Sequence, residues 1–352
     1  MKDSAVYLKG TLAVCGIILI LLCILNFEIL GYIAVQAKGQ LKIIFGARPL
    51  DEFLAREEIT ASQKEKLRLI GELKKFASDE LGLVDNGCYS KMYYQKEPVY
   101  VWLVIASPEF SLETYEWKFP IVGSFSYKGY FNKRDAEKCA ERLRAKGYET
   151  RIRPASAWST LGYFKDPVFT SMLDDDEGDL ADLIFHEMTH GTVFVKNELQ
   201  FNENLASFIG EKGAIYYLAK KYGDNSEQLR MYIDSQYDYN LFYEYIIAGA
   251  KRLDALYKSF SDSISIDEKR RRKNEMISEI AQGVTELQVR EKERFDHFRK
   301  FTPNNAYFSS YMTYRSDLSS FENDFAAQGD DLRNYIAWVK MTYRDKNVKK
   351  AK

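Results

Sequence analysis

The chain opens on an apolar run and then changes to shorter amphipathic and extended patterns. Leu12 to Leu25 carries no charged or strongly polar residue, and Lys2 and Lys9 precede it. That length suits the core of a signal peptide. Counted from Tyr7 to Phe27, with Lys9 snorkelling, it reaches about the twenty residues that cross a bilayer. The small residues of a cleavage pattern, Val35 and Ala37, lie far from the apolar core. An uncleaved anchor over residues 1–36 is therefore expected, followed by a folded unit over 37–352.

Beyond the anchor, Thr60 to Leu81 reads as an amphipathic helix. Thr60 and Gln63 form a capping box, and Gly82 supplies the stop. Val99 to Ile105 is the clearest strand and too apolar for an exposed edge. Gly123 to Phe131 reads as an aromatic strand, Lys133 to Ala145 as a helix ended by Gly147, and Tyr148 to Ile152 as a further strand. From Gly178 onward the pattern is almost entirely helical. Asp179 is placed to cap the first of these helices. Further helices are expected over Glu203–Tyr222, Ser226–Gln236, Leu241–Phe260, Asp267–Lys300 and Leu318–Tyr343. The expected fold is α+β and predominantly helical, with a small sheet in an α/β part (37–158) and a mainly helical part (159–352).

Composition narrows the function classes. The 50 Lys and Arg nearly balance the 51 Asp and Glu, leaving a net charge of −1. No broad basic field exists, so nucleic acid is not an expected partner. The basic run Lys269 to Lys273 reads as a solvated helix face. The 25 Tyr and 22 Phe suit helix contacts or a cleft that takes peptide side chains. Cys88 and Cys139 are the cysteines outside the apolar run. They are either a disulfide pair in an oxidising compartment or two free structural thiols. With no C-x-x-C, a thiolate metal site has no support.

The chemistry concentrates in Leu183-Ile-Phe-His186-Glu187-Met-Thr-His190. Here two of the chain's 3 histidines flank a glutamate in an H-E-x-x-H spacing. On a helix, positions i and i+4 share a face, so both imidazoles reach one zinc ion. Glu187 lies about 100° further round the helix. It is placed as the general base that takes a proton from water rather than as a ligand. A catalytic zinc site has three protein ligands and an open position. Glu203 is the candidate third ligand, on an antiparallel helix that follows a turn near Lys196-Asn197; Glu198 is the rival. Asn202 is expected to cap that second helix, and Ser207, one turn on, to hydrogen-bond a ligand from behind. His297 reads as a helix-face residue. Tyr314 is the candidate donor to the developing oxyanion. Gly162 and Tyr163, in Ser159-Thr-Leu-Gly-Tyr-Phe164, are candidates to bind substrate backbone by strand addition.

The string Asn202-Glu203-x-x-x-Ser207 after the H-E-x-x-H helix resembles the gluzincin arrangement. A closer similarity is to a bacterial family of zinc aminopeptidases. It is carried by Leu81-Gly-Leu-Val-Asp-Asn-Gly87, Ser107-Pro-Glu-Phe-Ser-Leu112, Phe119-Pro-Ile-Val-Gly123, Tyr127-Lys-Gly-Tyr-Phe131, Ser159 to Phe164 with Asp166-Pro167, the metal helix, Phe201-Asn-Glu-Asn204 and Asn304-Asn-Ala306. In this order the stretches cover nearly all of the chain after the apolar run. The resemblance implies a zincin-like fold, one Zn²⁺ held by His186, His190 and Glu203, Glu187 as the base, and a catalytic unit outside the cytoplasm. Two departures stand out. The spacer to Glu203 is shorter than in familiar gluzincins, and Ser207 stands where the thermolysin-like pattern has an aspartate. The expected activity is that of a membrane-anchored zinc peptidase acting on peptide substrates, as an aminopeptidase. An endopeptidase and a non-catalytic, membrane-tethered zinc-binding protein are the alternatives.

Overall fold

The computed structural model describes residues 27–95, 101–119, 123–155, 165–196, 198–312 and 319–349. The chain divides into two compact units: residues 1–46 with 118–124, and residues 47–117 with 125–352. In the first, helix α1 (Phe27–Gly46) presents Tyr32, whose ring stacks on Phe119 at 5.6 Å. Among the described residues no helix is long and apolar enough to cross a membrane. Of the anchor expected over residues 1–36, residues 1–26 lie outside the described residues, and 27–36 form the start of α1.

The second unit starts with β1 (Arg48–Pro49), α2 (Leu50–Leu54) and α3 (Ala61–Phe76). The capping box forms as expected: Thr60 Oγ1 accepts from Gln63 N–H at 3.2 Å, and Gln63 Oε1 from Thr60 N–H at 3.2 Å. A π turn (Ala77–Leu81) ends at Gly82, whose φ of +75° is the left-handed stop the sequence implied. The strands that follow are β2 (Lys91–Tyr93), β3 (Trp102–Pro108), β4 (Trp117–Phe119), β5 (Gly123–Phe125) and β6 (Lys128–Tyr130). Then come α4 (Lys133–Arg144), β7 (Tyr148–Pro154) and β8 (Val168–Phe169). Two three-stranded sheets result, ordered β1-β2-β8 and β6-β3-β7, and β4 pairs with β5. The apolar β3 is the central strand of its sheet, with Leu103 opposite both Gly129 and Arg153 in antiparallel register. The aromatic strand expected over Gly123–Phe131 is split into β5 and β6.

The remaining elements are helical: α5 (Glu177–Thr192), α6 (Leu199–Tyr222), α7 (Glu227–Lys258), α8 (Ile266–Val284), α9 (Asn305–Met312), α10 (Ser319–Ala327) and α11 (Leu332–Lys349). The observed architecture is thus predominantly helical α+β with small sheets. One core lies between α7 and α8, where Phe242, Ile246, Ala250 and Leu253 meet Ile277, Ile280 and Val284, all nearly inaccessible.

Several helix boundaries differ from expectation, and one buried carboxylate explains the largest differences. The polar stretch Tyr237–Asn240 does not break α7. Asp238 instead turns fully inward and accepts the N–H groups of Arg290 (2.7 Å) and Glu291 (3.0 Å) and the Arg294 guanidinium (3.3 Å). Those amides take a side chain in place of a helical carbonyl. The helix expected over Asp267–Lys300 accordingly stops at Val284, with only a 3₁₀ turn at Asp296–Arg299. The basic run is not wholly solvated. Arg270, Arg271 and Arg272 are exposed and ion-paired, but Lys273 is buried against Glu149 and the Glu109 carbonyl. Both Cys88 and Cys139 are buried free thiols.

Candidate metal centre

Two antiparallel helices build the site. Small residues of α6 let α5 approach closely. A Cβ at Gly213 would lie 2.7 Å from the Phe185 ring, and one at Gly210 would lie 2.8 Å from the Asp182 carbonyl oxygen. The pair is tied at its far end, where Glu177 in the first turn of α5 accepts from Tyr217 (3.0 Å), Lys221 (2.8 Å) and Tyr222 (2.8 Å) of α6. Expected cap roles shift by a few residues. Asp176, not Asp179, is the N-cap of α5, and its side chain makes no capping bond. Asn202 lies inside α6, which starts at Leu199, and does not cap it. Instead Asn202 is buried and clamps Val195, accepting its N–H at 2.8 Å and donating to its carbonyl at 2.8 Å. This fixes the turn between the helices and so the position of the neighbouring Glu203.

The three expected ligands converge. The Nε2 atoms of His186 and His190 are 3.2 Å apart. Glu203 sets one carboxylate oxygen 3.5 Å from His186 Nε2 and the other 3.6 Å from His190 Nε2. One donor atom from each lies within 4.8 Å of the others, and among the described residues no other group of His, Cys, Asp and Glu does this. Glu198, the rival ligand, precedes α6 and is not in the cluster. A tetrahedral ion about 2.0–2.2 Å from each atom separates its ligands by about 3.3–3.6 Å, so this donor set could hold zinc. Ser207 Oγ is 3.5 Å from His186 Nδ1, at the outer limit of a hydrogen bond.

Charge in the metal-free cluster follows from the same packing. Burial acts to raise the Glu203 carboxyl, but hydrogen bonds from the two histidines outweigh it and hold the pKa at about 2. Burial acts to lower His186, and the Glu203 bond with the Glu187 charge more than offsets it. Glu187 is 8% exposed and outside the ligand set. Burial raises its pKa, the two histidines counter this, and the Asp166 and Glu203 charges add to it.

A wall to which no site role was assigned from the sequence flanks the C-terminal end of α5. The Asp85–Ser90 turn rests against Gly191, the residue after His190, where a Cβ would lie 2.5 Å from the Asn86 amide. Thr192 Oγ1 accepts from Val84 N–H at 2.9 Å. Lys74 is buried beneath the turn, donating to the Cys88 carbonyl (2.7 Å) and Ser90 Oγ (2.9 Å) and pairing with Asp85 at 3.3 Å. Tyr89 adopts a left-handed φ of +55° there, and its N–H donates to Asp166 O at 2.7 Å. Burial, then the Glu187 charge, pushes the Tyr89 hydroxyl well above its ordinary range. A non-glycine residue in that backbone region signals a constraint worth a functional test. Tyr314, Gly162 and Tyr163 lie outside the described residues.

The chain as a whole matches a known sequence family. A family whose model is described as "Putative aminopeptidase" matches residues 31–352. No curated protein and no solved structure matches the chain. The match spans nearly all of the sequence and contains the whole His–His–Glu cluster, and on that ground the chain belongs to the putative aminopeptidase family.

Proposed function

We propose that this chain is a zinc-dependent peptidase in which His186, His190 and Glu203 hold one ion and Glu187 is the general base. The observation that carries the proposal is the convergence of two imidazole nitrogens and a carboxylate within 4.8 Å, beside a buried carboxylate that is not part of the set. Family membership supports peptide hydrolysis as the reaction. Zinc bound by such a donor set supplies Lewis-acid polarisation of a carbonyl and acidifies a water molecule.

The protein's own groups do the rest. Glu187 accepts the proton of the attacking water and delivers it to the leaving amine. Its burial favours this exchange, because a desolvated carboxylate binds a proton more readily than an exposed one. Tyr314 is the proposed donor to the developing oxyanion, and Gly162 and Tyr163 the proposed contacts to substrate backbone. The apolar run at residues 7–27 is the proposed tether, holding the catalytic unit on the outer side of a membrane.

An aminopeptidase needs a free amine on its substrate, and an endopeptidase does not. Purified protein, stripped of metal and reconstituted with one equivalent of zinc, should cleave free peptides and lose most activity on N-blocked ones. Equal cleavage of both classes would assign an endopeptidase. No cleavage of either by zinc-loaded protein would leave a non-catalytic metal-binding protein.

A further inference from the structure

Helix α1 (Phe27–Gly46) is apolar on two opposite sides. One side, marked by Tyr32 and Ile43, is covered: Tyr32 stacks on Phe119 at 5.6 Å, and Ile43 is inaccessible. The other side carries Leu30, Ile33, Ala34, Ala37 and Leu41, which repeat at the i, i+3, i+4, i+7 spacing of a single face. At 100° per residue they fall within an arc of about 100°. All of them are exposed, Leu41 by 50%. Phe45 extends the same arc and is 71% exposed. A stripe of large apolar side chains running about 20 Å along a helix marks an interaction surface, not ordinary protein exterior.

Continuity and charge select what covers it. The apolar run Tyr7–Phe27 ends on the first residue of α1, so the stripe begins about 5 Å along the helix from the end of the proposed tether. From Ile29 to Leu50 the chain carries Lys38, Lys42 and Arg48 and no acidic residue. Lys38 and Lys42 are exposed and border the arc on one side. Their methylene stems can lie along an apolar layer while the ammonium groups meet anionic headgroups. A second copy of the stripe would offer these lysines only more positive charge over the same stretch.

We propose that α1 lies flat in the surface of an anionic lipid bilayer, with Leu30, Ile33, Ala37 and Leu41 among the acyl chains and Lys38 and Lys42 at the headgroups. The proposal rests on the tether reading given above and extends it from a span to a second, in-plane contact. The orientation follows from the length of the stripe. If α1 stood upright on the end of the tether, Leu41 would project about 20 Å into water, and its side of the helix would stay bare.

The test uses the full chain in vesicles of phosphatidylcholine and phosphatidylglycerol. Cys88 and Cys139 are buried. With Cys15 and Cys23 replaced by Ala, L30C, L41C and V35C each take a fluorophore at one exposed place. Val35 is exposed but lies outside the arc, so it is the internal reference. Labels at positions 30 and 41 should be quenched alike by nitroxide-bearing lipids, several-fold more than the label at 35, from a depth of about 5–10 Å. K38E/K42E should reduce quenching at position 41 in the anionic vesicles and leave it unchanged in phosphatidylcholine alone. Strong quenching at 30 with none at 41 would show an upright helix and overturn the proposal. A disulfide between two L41C chains, with neither label quenched by lipid, would make a second copy the cover and overturn it too. Failure of the unlabelled chain to float with vesicles would overturn the tether itself, a result independent of whether the zinc-loaded protein cleaves peptides.

Discussion

Glu187 and Glu203 show how one residue type takes two roles through its surroundings. Glu203 accepts from two imidazoles and stays ionised down to a pKa of about 2. Glu187 is buried, and that burial raises its pKa. A ligand must remain charged, whereas a base must exchange protons near neutrality. E187Q should therefore keep its zinc, measured by metal analysis, and lose peptide hydrolysis by about 10²- to 10⁴-fold. H190A should lose the metal. Activity retained in E187Q would sink the assignment. A second carboxylate is perturbed at the start of the metal helix. Burial, reinforced by the Asp179 charge, raises Asp175 from 3.8 to about 6. The folded chain then binds more protons than the unfolded one between those values, so stability falls as pH rises from about 4 through 6. D175N removes a charge that is half-buried and unfavourable. At pH 7–8 it should raise the thermal midpoint, by roughly 1 kcal/mol of stability after allowing for solvent screening. At pH 3.5 the gain should vanish.

Helices and turns were legible where the signal is local and obscured where a distant side chain intervenes. The Thr60 box and the Gly82 stop depend on residues a few positions apart, and both form as the sequence implied. The break read into Tyr237–Asn240 failed because Asp238 belongs to the 290–294 segment, more than fifty positions away. D238A would strand two backbone amides and a guanidinium. It should cost about 3 kcal/mol, read as a lower urea midpoint with an unchanged m-value. Asn202 teaches the same lesson: a residue type that favours helix caps here clamps the preceding turn, because Val195 folds back over it. The Leu81–Gly87 stretch carries family resemblance but no chemistry of its own, and the contact with Gly191 is what brings it to the site.

At the scale of the whole molecule, the proposed zinc site would link metal binding to folding. The ligands come from two helices joined by a short turn, so an ion held by them stabilises their packing. Zinc at 100 times its dissociation constant should add about 2.7 kcal/mol and raise the thermal midpoint by about 3–6 °C, reversed by a chelator. An unchanged midpoint across a zinc titration would count against a pre-formed site. Within the second unit the strands form separate small sheets, not one continuous layer, while the candidate metal ligands all lie on helices. The site residues therefore owe their placement to helix–helix contact.

What the amino-acid order determined by itself was the candidate ligand set. The four-residue spacing of His186 and His190 follows from the helical period, and the short link to Glu203 limits how far a second helix can carry its carboxylate. What only the tertiary structure decided was the packing around it: Gly210 and Gly213 admitting α5, Asn86 seated against Gly191, and Asn202 clamping Val195. Those contacts join side chains of ordinary type from separate elements. No periodicity announces them, because they exist only once the chain has packed and the glycines have let its helices meet.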